Sequence, residues 1–211
     1  MIEMKKFTAM LKLGLILAAY SAVACMGLAF VYSATSAIIS MRQQADLESS
    51  LRELFPEADY FETIRDIKIQ DPMVTITGDK ENPENTGAFA AIKNSNTIGV
   101  ALRVSRSSYS GPIILLVGVS TDNKIKGVRI LEHSDTPGLG ANAASKTYFV
   151  DRANGIHFYD QFTGKTVNDP FIPKQDIAAI TAATITSNAV SLSVKAAGEA
   201  AMAWMRSGGT R

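Results

Sequence analysis

Twenty consecutive residues from Leu13 to Tyr32, LGLILAAYSAVACMGLAFVY, carry no charge. A helix rises about 1.5 Å per residue, so this run reaches about 30 Å, the thickness of a bilayer's hydrocarbon core. Lys5, Lys6 and Lys12 precede it, the uncharged stretch continues to Met41, and only Arg42 follows within ten residues of Tyr32. Basic residues stay on the cytoplasmic side. The pattern predicts a single uncleaved anchor in the cytoplasmic (inner) membrane, N-terminus inside, with the rest on the periplasmic or extracellular side. Three other readings stay open. A cleaved signal peptide has an apolar core of about 7–15 residues; this one is longer, although Ala34 and Ala37 would allow cleavage. Lipoprotein processing at Cys25 would want a large aliphatic residue where Ala22 stands. A buried core helix could also be this apolar.

Composition narrows the chemistry. The 211 residues carry a formal net charge of +1, which gives no electrostatic footprint for nucleic acid. One cysteine cannot form an intramolecular disulfide, an iron–sulfur cluster or a thiolate zinc site. There is no C-x-x-C-H for haem, and the two histidines, His133 and His157, form no H-E-x-x-H pair. No metal site is expected. If this chain moves electrons, it does so on an organic cofactor.

Along the chain, Leu47, Leu51, Leu54 and Phe55 make one apolar stripe at helical spacing, with Pro56 ending or kinking the helix. Residues 67–77 alternate in part as a strand, and Gly78–Gly87 reads as a loop. Strands are predicted at Ile98–Val104, Pro112–Val119 and Ile125–Leu131, with turns at residues 109–112 and 122–123. Short links imply antiparallel neighbours. Residues 143–154 are expected to be helical and 156–167 strand-like. An alanine-rich helix is expected over Ser187–Met205, capped by Thr186 or Ser187. The fold class is therefore α+β, a largely antiparallel twisted sheet with flanking helices behind one transmembrane helix. The expected divisions are 1–33 for cytoplasmic N-terminus and anchor, 34–78 for a juxtamembrane helix and first strand, and 79–211 for the functional domain.

No G-x-G-x-x-G, P-loop or G-x-S-x-G is present. Two segments serve no obvious packing purpose: HSDTPGLG (His133–Gly140) and ITAATITS (Ile180–Ser187). In the first, Pro137 lacks a donor while Gly138 and Gly140 reach backbone angles closed to other residues. In the second, Thr181 and Thr184 sit among small alanines just before a helix, whose free N–H groups and partial positive charge suit an anion such as a phosphate ester. Helix capping and a close-packed turn would explain the same residues.

Together, DTPGLG and TAATITS resemble the FMN-binding domain of the G subunit of the Rnf (Rsx) electron-transport complex, shared with the C subunit of the sodium-pumping NADH:quinone reductase. The resemblance extends over the anchor, the YSGPIILLVGV and KIKGVRILEH strands, the FYDQFTGK segment and the final helix; the short chain favours the Rnf type. It implies an FMN, one per chain, esterified through its phosphate to Thr184 by a separate flavin transferase. Thr181, Ala182 and Ala183 would complete that motif. Asp135, Thr136, Pro137, Gly138, Leu139 and Gly140 would form the loop against the flavin. Lys165 matches a family lysine near the cofactor, or is a solvated surface lysine. The sequence departs from the pattern at Asp135 (Glu in the family), Ala182 (Gly) and Ala178 (acidic), where Asp176 is the nearest carboxylate. The implied function is an electron relay in an ion-translocating ferredoxin:NAD oxidoreductase, with the other Rnf-type subunits as partners and no complete active site in this chain alone. The alternative is a membrane-anchored FMN-binding-fold module with a binding, regulatory or assembly role.

Overall fold

The charge-free run and the stripe that follows it form one helix, α1, from Ile2 to Leu54, in a computed structural model that describes residues 2–78 and 86–209. It is the one helix among the described residues long and apolar enough to cross a membrane. Its large apolar side chains between Phe7 and Met41 are exposed, as suits a helix whose solvent is lipid. The chain divides into two compact units, Met1–Ala45 and Asp46–Arg211. The last turns of α1 belong to the second unit, and the helix stops two residues before Pro56.

The second unit is built on an antiparallel sheet of β1 (Tyr60–Thr63), β2 (Val74–Ile76), β3 (Ala88–Lys93), β4 (Asn96–Ser107), β5 (Pro112–Ser120) and β6 (Ile125–Glu132). The strand order is β1-β3-β4-β5-β6, and the long β4 pairs with β3 along its first half and β2 along its second. A two-stranded ribbon, β7 (Phe149–Asp151) with β8 (Ile156–His157), stands apart from it. Strand residues alternate in the face they present, and the two faces have different cores. Val100, Leu102, Val104, Leu115, Val117 and Val119 pack with Val190, Val194, Ala197 and Ala201 of helix α2 (Thr184–Trp204). Ala101 and Leu116 pack with Leu47, Leu51 and Leu54 from the end of α1 and with Phe55 just after it. The expected α+β class, with an antiparallel sheet and flanking helices, is what forms.

Several local expectations need correction. Between residues 67 and 77 only Val74–Ile76 is strand, because Asp71 and Pro72 make a turn. Asp71 Oδ1 accepts the Met73 N–H (2.8 Å) and its carbonyl the Val74 N–H (3.2 Å). Residues 143–154 are not helical beyond a 3₁₀ turn at Gly140–Ala143. Ser145 Oγ instead accepts the Thr147 and Tyr148 N–H groups, and Asp151 those of Ala153 and Asn154, so side chains compete for the donors a helix would use. Residues 156–167 are strand only at Ile156–His157, followed by a 3₁₀ turn and Gly164 at φ 81°. Helix α2 begins at Thr184 with Ala183 at its N-cap position and no side-chain cap, so neither Thr186 nor Ser187 caps it. Most of the loop expected at Gly78–Gly87 lies outside the described residues.

Candidate functional site

The β4–β5 turn, the DTPGLG loop and the start of α2 meet at one buried carboxylate. Asp135 is 6% exposed. Its Oδ1 accepts the Ser110 N–H at 3.0 Å, and its Oδ2 accepts the Thr186 hydroxyl at 2.7 Å and the Ser108 hydroxyl at 2.8 Å. Ser108 Oγ also stands 3.2 Å from Thr186 Oγ1. Burial works against the charged carboxylate, but the three donated hydrogen bonds, with help from nearby His133, outweigh it and hold the pKa below the usual Asp value. Gly140 closes the same knot. A Cβ there would come within 2.5 Å of Thr186 Oγ1 and 2.6 Å of Asp135 Oδ2, so the loop approaches this closely only because residue 140 has no side chain.

Above the knot lies a cavity of about 370 Å³ lined by Asp135, Thr136, Leu139 and Gly140 of the loop, by Ala182, Ala183, Thr184, Ile185 and Thr186, and by Tyr109. Seven of the residues expected at a flavin site, Asp135, Thr136, Leu139, Gly140, Ala182, Ala183 and Thr184, thus come together on its walls. Pro137 and Gly138 make the turn that presents Leu139, with Leu139 N–H on the Thr136 carbonyl (3.1 Å) and Gly138 at φ 79°. Thr181 is exposed in the turn before α2 and does not line the cavity. Lys165 is also not on its walls; its Nζ lies 3.6 Å from Asp176 Oδ2. Asp176 in turn accepts the N–H groups of Phe171 (3.1 Å) and Ile172 (2.6 Å).

The hydroxyls near the start of α2 have different fates. Thr186 is engaged by Asp135. Ser187 Oγ donates to the Ala183 carbonyl and accepts the Ile180 N–H, both at 3.0 Å. Thr184 is exposed at the cavity wall, on the first helical residue, where backbone N–H groups have no intrahelical acceptor. Ala182 holds φ 58°, a left-handed conformation that favours glycine. The sequence reads residues 109–112 as a turn and includes them in the resembling YSGPIILLVGV segment, but it gives Ser108, Tyr109, Ser110 and Ile185 no place at the site and does not reveal the tie from Thr186 to Asp135. An acidic residue placed in a glycine-rich loop is the available signal for that tie. Tyr109 begins the resembling YSGPIILLVGV segment, but nothing in the sequence assigns it to the site.

The cavity suits an FMN. Its size is in the range of cofactor pockets, Tyr109, Leu139 and Ile185 contribute apolar surface to its walls, and Thr184 lines it as the first residue of a helix, where a phosphate is favoured. Comparisons with known proteins agree on the domain. The FMN-binding domain family matches residues 108–199, and the RnfG N-terminal region family matches residues 1–54. The G subunit of the Na⁺-translocating ferredoxin:NAD⁺ oxidoreductase complex of Acetobacterium woodii is 31% identical, over 87% of this chain and 87% of that protein. The proton-translocating counterpart of Clostridium ljungdahlii is 32% identical over 82% of this chain and 80% of its own. The G subunit of an ion-translocating oxidoreductase complex from Methanosarcina acetivorans is 30% identical over 81% of this chain and 82% of its own. A solved structure of Shewanella oneidensis NqrC aligns over 68% of this chain and 80% of its own, at 19% identity and a TM-score of 0.44. With an FMN-binding domain at its C-terminal half and relatives of this identity along most of its length, the chain belongs to the family of G subunits of Rnf-type ion-translocating oxidoreductase complexes.

Proposed function

We propose that this protein is an electron-relay subunit of a membrane-bound, ion-translocating ferredoxin:NAD oxidoreductase complex, and that it carries FMN, one per chain, as a phosphoester on Thr184. The observation behind this reading is the placement of Thr184. Thr184 is exposed on the wall of the cavity as the first residue of α2, while Thr186 and Ser187 are hydrogen-bonded to Asp135, Ala183 and Ile180. The flavin supplies one- and two-electron redox chemistry that no side chain here provides. The chain's own residues hold and shield it. The α2 N-terminus would favour the phosphate charge, Leu139 and Ile185 would give the ring apolar contact, and the Thr184 bond would prevent loss from an exported domain.

A threonine hydroxyl is a weak nucleophile without a base beside it. Asp135, the carboxylate on the cavity wall, is turned to Ser108, Ser110 and Thr186. Attachment is therefore assigned to a separate flavin transferase acting after export, which agrees with an N-terminus inside and the domain on the periplasmic or extracellular face. The other subunits of the complex are the electron donors and acceptors. Co-expression with a flavin transferase followed by a denaturing gel tests this cheaply. The wild-type band should fluoresce, Thr184→Ala should be dark, and Thr181→Ala should keep its label. A fluorescent Thr184→Ala band contradicts the assignment.

A further inference from the structure

Tyr109 is 73% exposed, yet both of its chain neighbours are hydrogen-bonded to a buried carboxylate. The residue before it donates its hydroxyl to Asp135 Oδ2 at 2.8 Å, and the residue after it donates its N–H to Asp135 Oδ1 at 3.0 Å. One buried carboxylate thus grips both neighbours of an aromatic ring that stands in water at the cavity's edge. Leaving a large apolar ring exposed forfeits burial energy, and fixing its position adds an entropic cost. Both are explained if the ring has a partner that arrives later. The apolar residues around it are in the same condition: Leu139 is 42% exposed and Ile185 54% exposed, and both line the same cavity. Tyr109 is the one aromatic among the cavity's lining residues.

We propose that Tyr109 packs against the isoalloxazine ring of the bound flavin, with Ser108, Ser110 and Asp135 acting as positioning residues that hold the phenol in place. The inference rests on the reading that the cavity beside Thr184 takes FMN. It adds that the β4–β5 turn, which lies outside the DTPGLG and TAAT motifs, forms one wall of the flavin site. Aromatic rings gain from stacked or edge contacts beyond the area they bury. A phenol in contact with an isoalloxazine also quenches its emission. The excited flavin takes an electron from the phenol and returns it on recombination, so there is no net oxidation. A phenyl ring keeps the packing but is a much poorer electron donor.

The test uses the full-length protein, flavin-labelled by co-expression with a transferase, and reads emission lifetime and visible absorption, with intact mass reporting the label. Wild-type emission should be strongly quenched and recover on unfolding in guanidinium. Tyr109→Phe should lengthen the lifetime severalfold while keeping the wild-type absorption shape. Tyr109→Ala should lengthen it and shift the absorption toward that of the unfolded protein. Ser108→Ala should give an intermediate lifetime with the ring itself unchanged, a signature that a purely structural hydroxyl would not produce. Equal lifetimes in wild type and Tyr109→Ala, at equal labelling, overturn the proposal. If mass shows the wild type unlabelled, the Thr184 reading fails separately, and titration of the protein with free FMN decides this one. Tyr109→Ala should then weaken binding about 2- to 10-fold, and unchanged binding overturns the proposal.

Discussion

Asp135 joins three segments far apart in sequence, so its charge state should matter to the whole face it supports. Its folded pKa lies below its ordinary value, which is about 3.9 for an unperturbed Asp. The stabilisation it brings is therefore present above about pH 4 and is lost as the pH falls through the depressed folded value. Asp135→Asn should cost about 1–3 kcal/mol near neutral pH, since it removes a charged acceptor from three donors. Measured by urea unfolding, the gap between wild type and variant should narrow as the pH drops below about 4; a gap independent of pH would mean the charge is not what holds the knot. The two loop glycines should differ in kind. Gly138 has open space around it and φ 79°, so Gly138→Ala should cost about 1 kcal/mol through backbone strain alone. Gly140→Ala should cost about 1–3 kcal/mol by overpacking and should also reduce flavin occupancy, because its Cβ would collide with Thr186 and Asp135. Equal effects of the two on stability and occupancy would contradict this division.

At the scale of elements, the end of α1 is seated on the sheet by glycines. A Cβ at Gly127 would meet Leu54 at 2.7 Å, one at Gly118 would meet Phe55 at 3.2 Å, and one at Gly99 would meet both the Phe55 ring and, at 2.6 Å, the Val119 carbonyl. The absence of side chains at these points on β4, β5 and β6 lets Leu54 and Phe55 lie directly on the backbone. Phe55→Ala should cost about 3–5 kcal/mol. Gly99→Ala should cost about 1–3 kcal/mol, more than Gly127→Ala, because a carbonyl cannot move aside as a leucine methyl can. Chemical denaturation of the detergent-solubilised protein checks this order. The strands from β4 to β6 are legible in the sequence because Val, Ile and Leu runs there are separated by clear turn residues. Strand β3 is not, since Ala88, Ala90 and Ala91 have little β-propensity and only pairing with β1 and β4 makes them a strand. The segment 143–154 misleads for the opposite reason. Its alanines suggest a helix, but Ser145 and Asp151 take the N–H groups first. In the site, the DTPGLG and TAAT motifs are legible because they are contiguous. Ser108 and Tyr109 are not, because their meaning depends on a carboxylate more than twenty residues away.

For the whole molecule, one chain joins an apolar helix long enough to span a membrane to an FMN-binding domain, and the proposed ester would make the flavin a permanent part of it. The Lys5, Lys6 and Lys12 cluster puts the expected N-terminus inside. Protease added to intact spheroplasts should digest the domain and leave a membrane-retained N-terminal tag, whereas a protected full-length chain would reverse that orientation. Ala182 bears on how readily the proposed ester would form. At φ 58° its side chain is in a conformation that glycine adopts without strain, so Ala182→Gly should raise the fraction labelled under limiting transferase. The central claim is the ester on Thr184, and peptide mapping by mass spectrometry of the labelled full-length protein tests it most directly. The expected result is a single modified peptide, heavier by one FMN less one water, with fragment ions that place the added mass on Thr184. Added mass on Thr181 or Thr186, or an unmodified peptide from protein matured beside an active transferase, would contradict it.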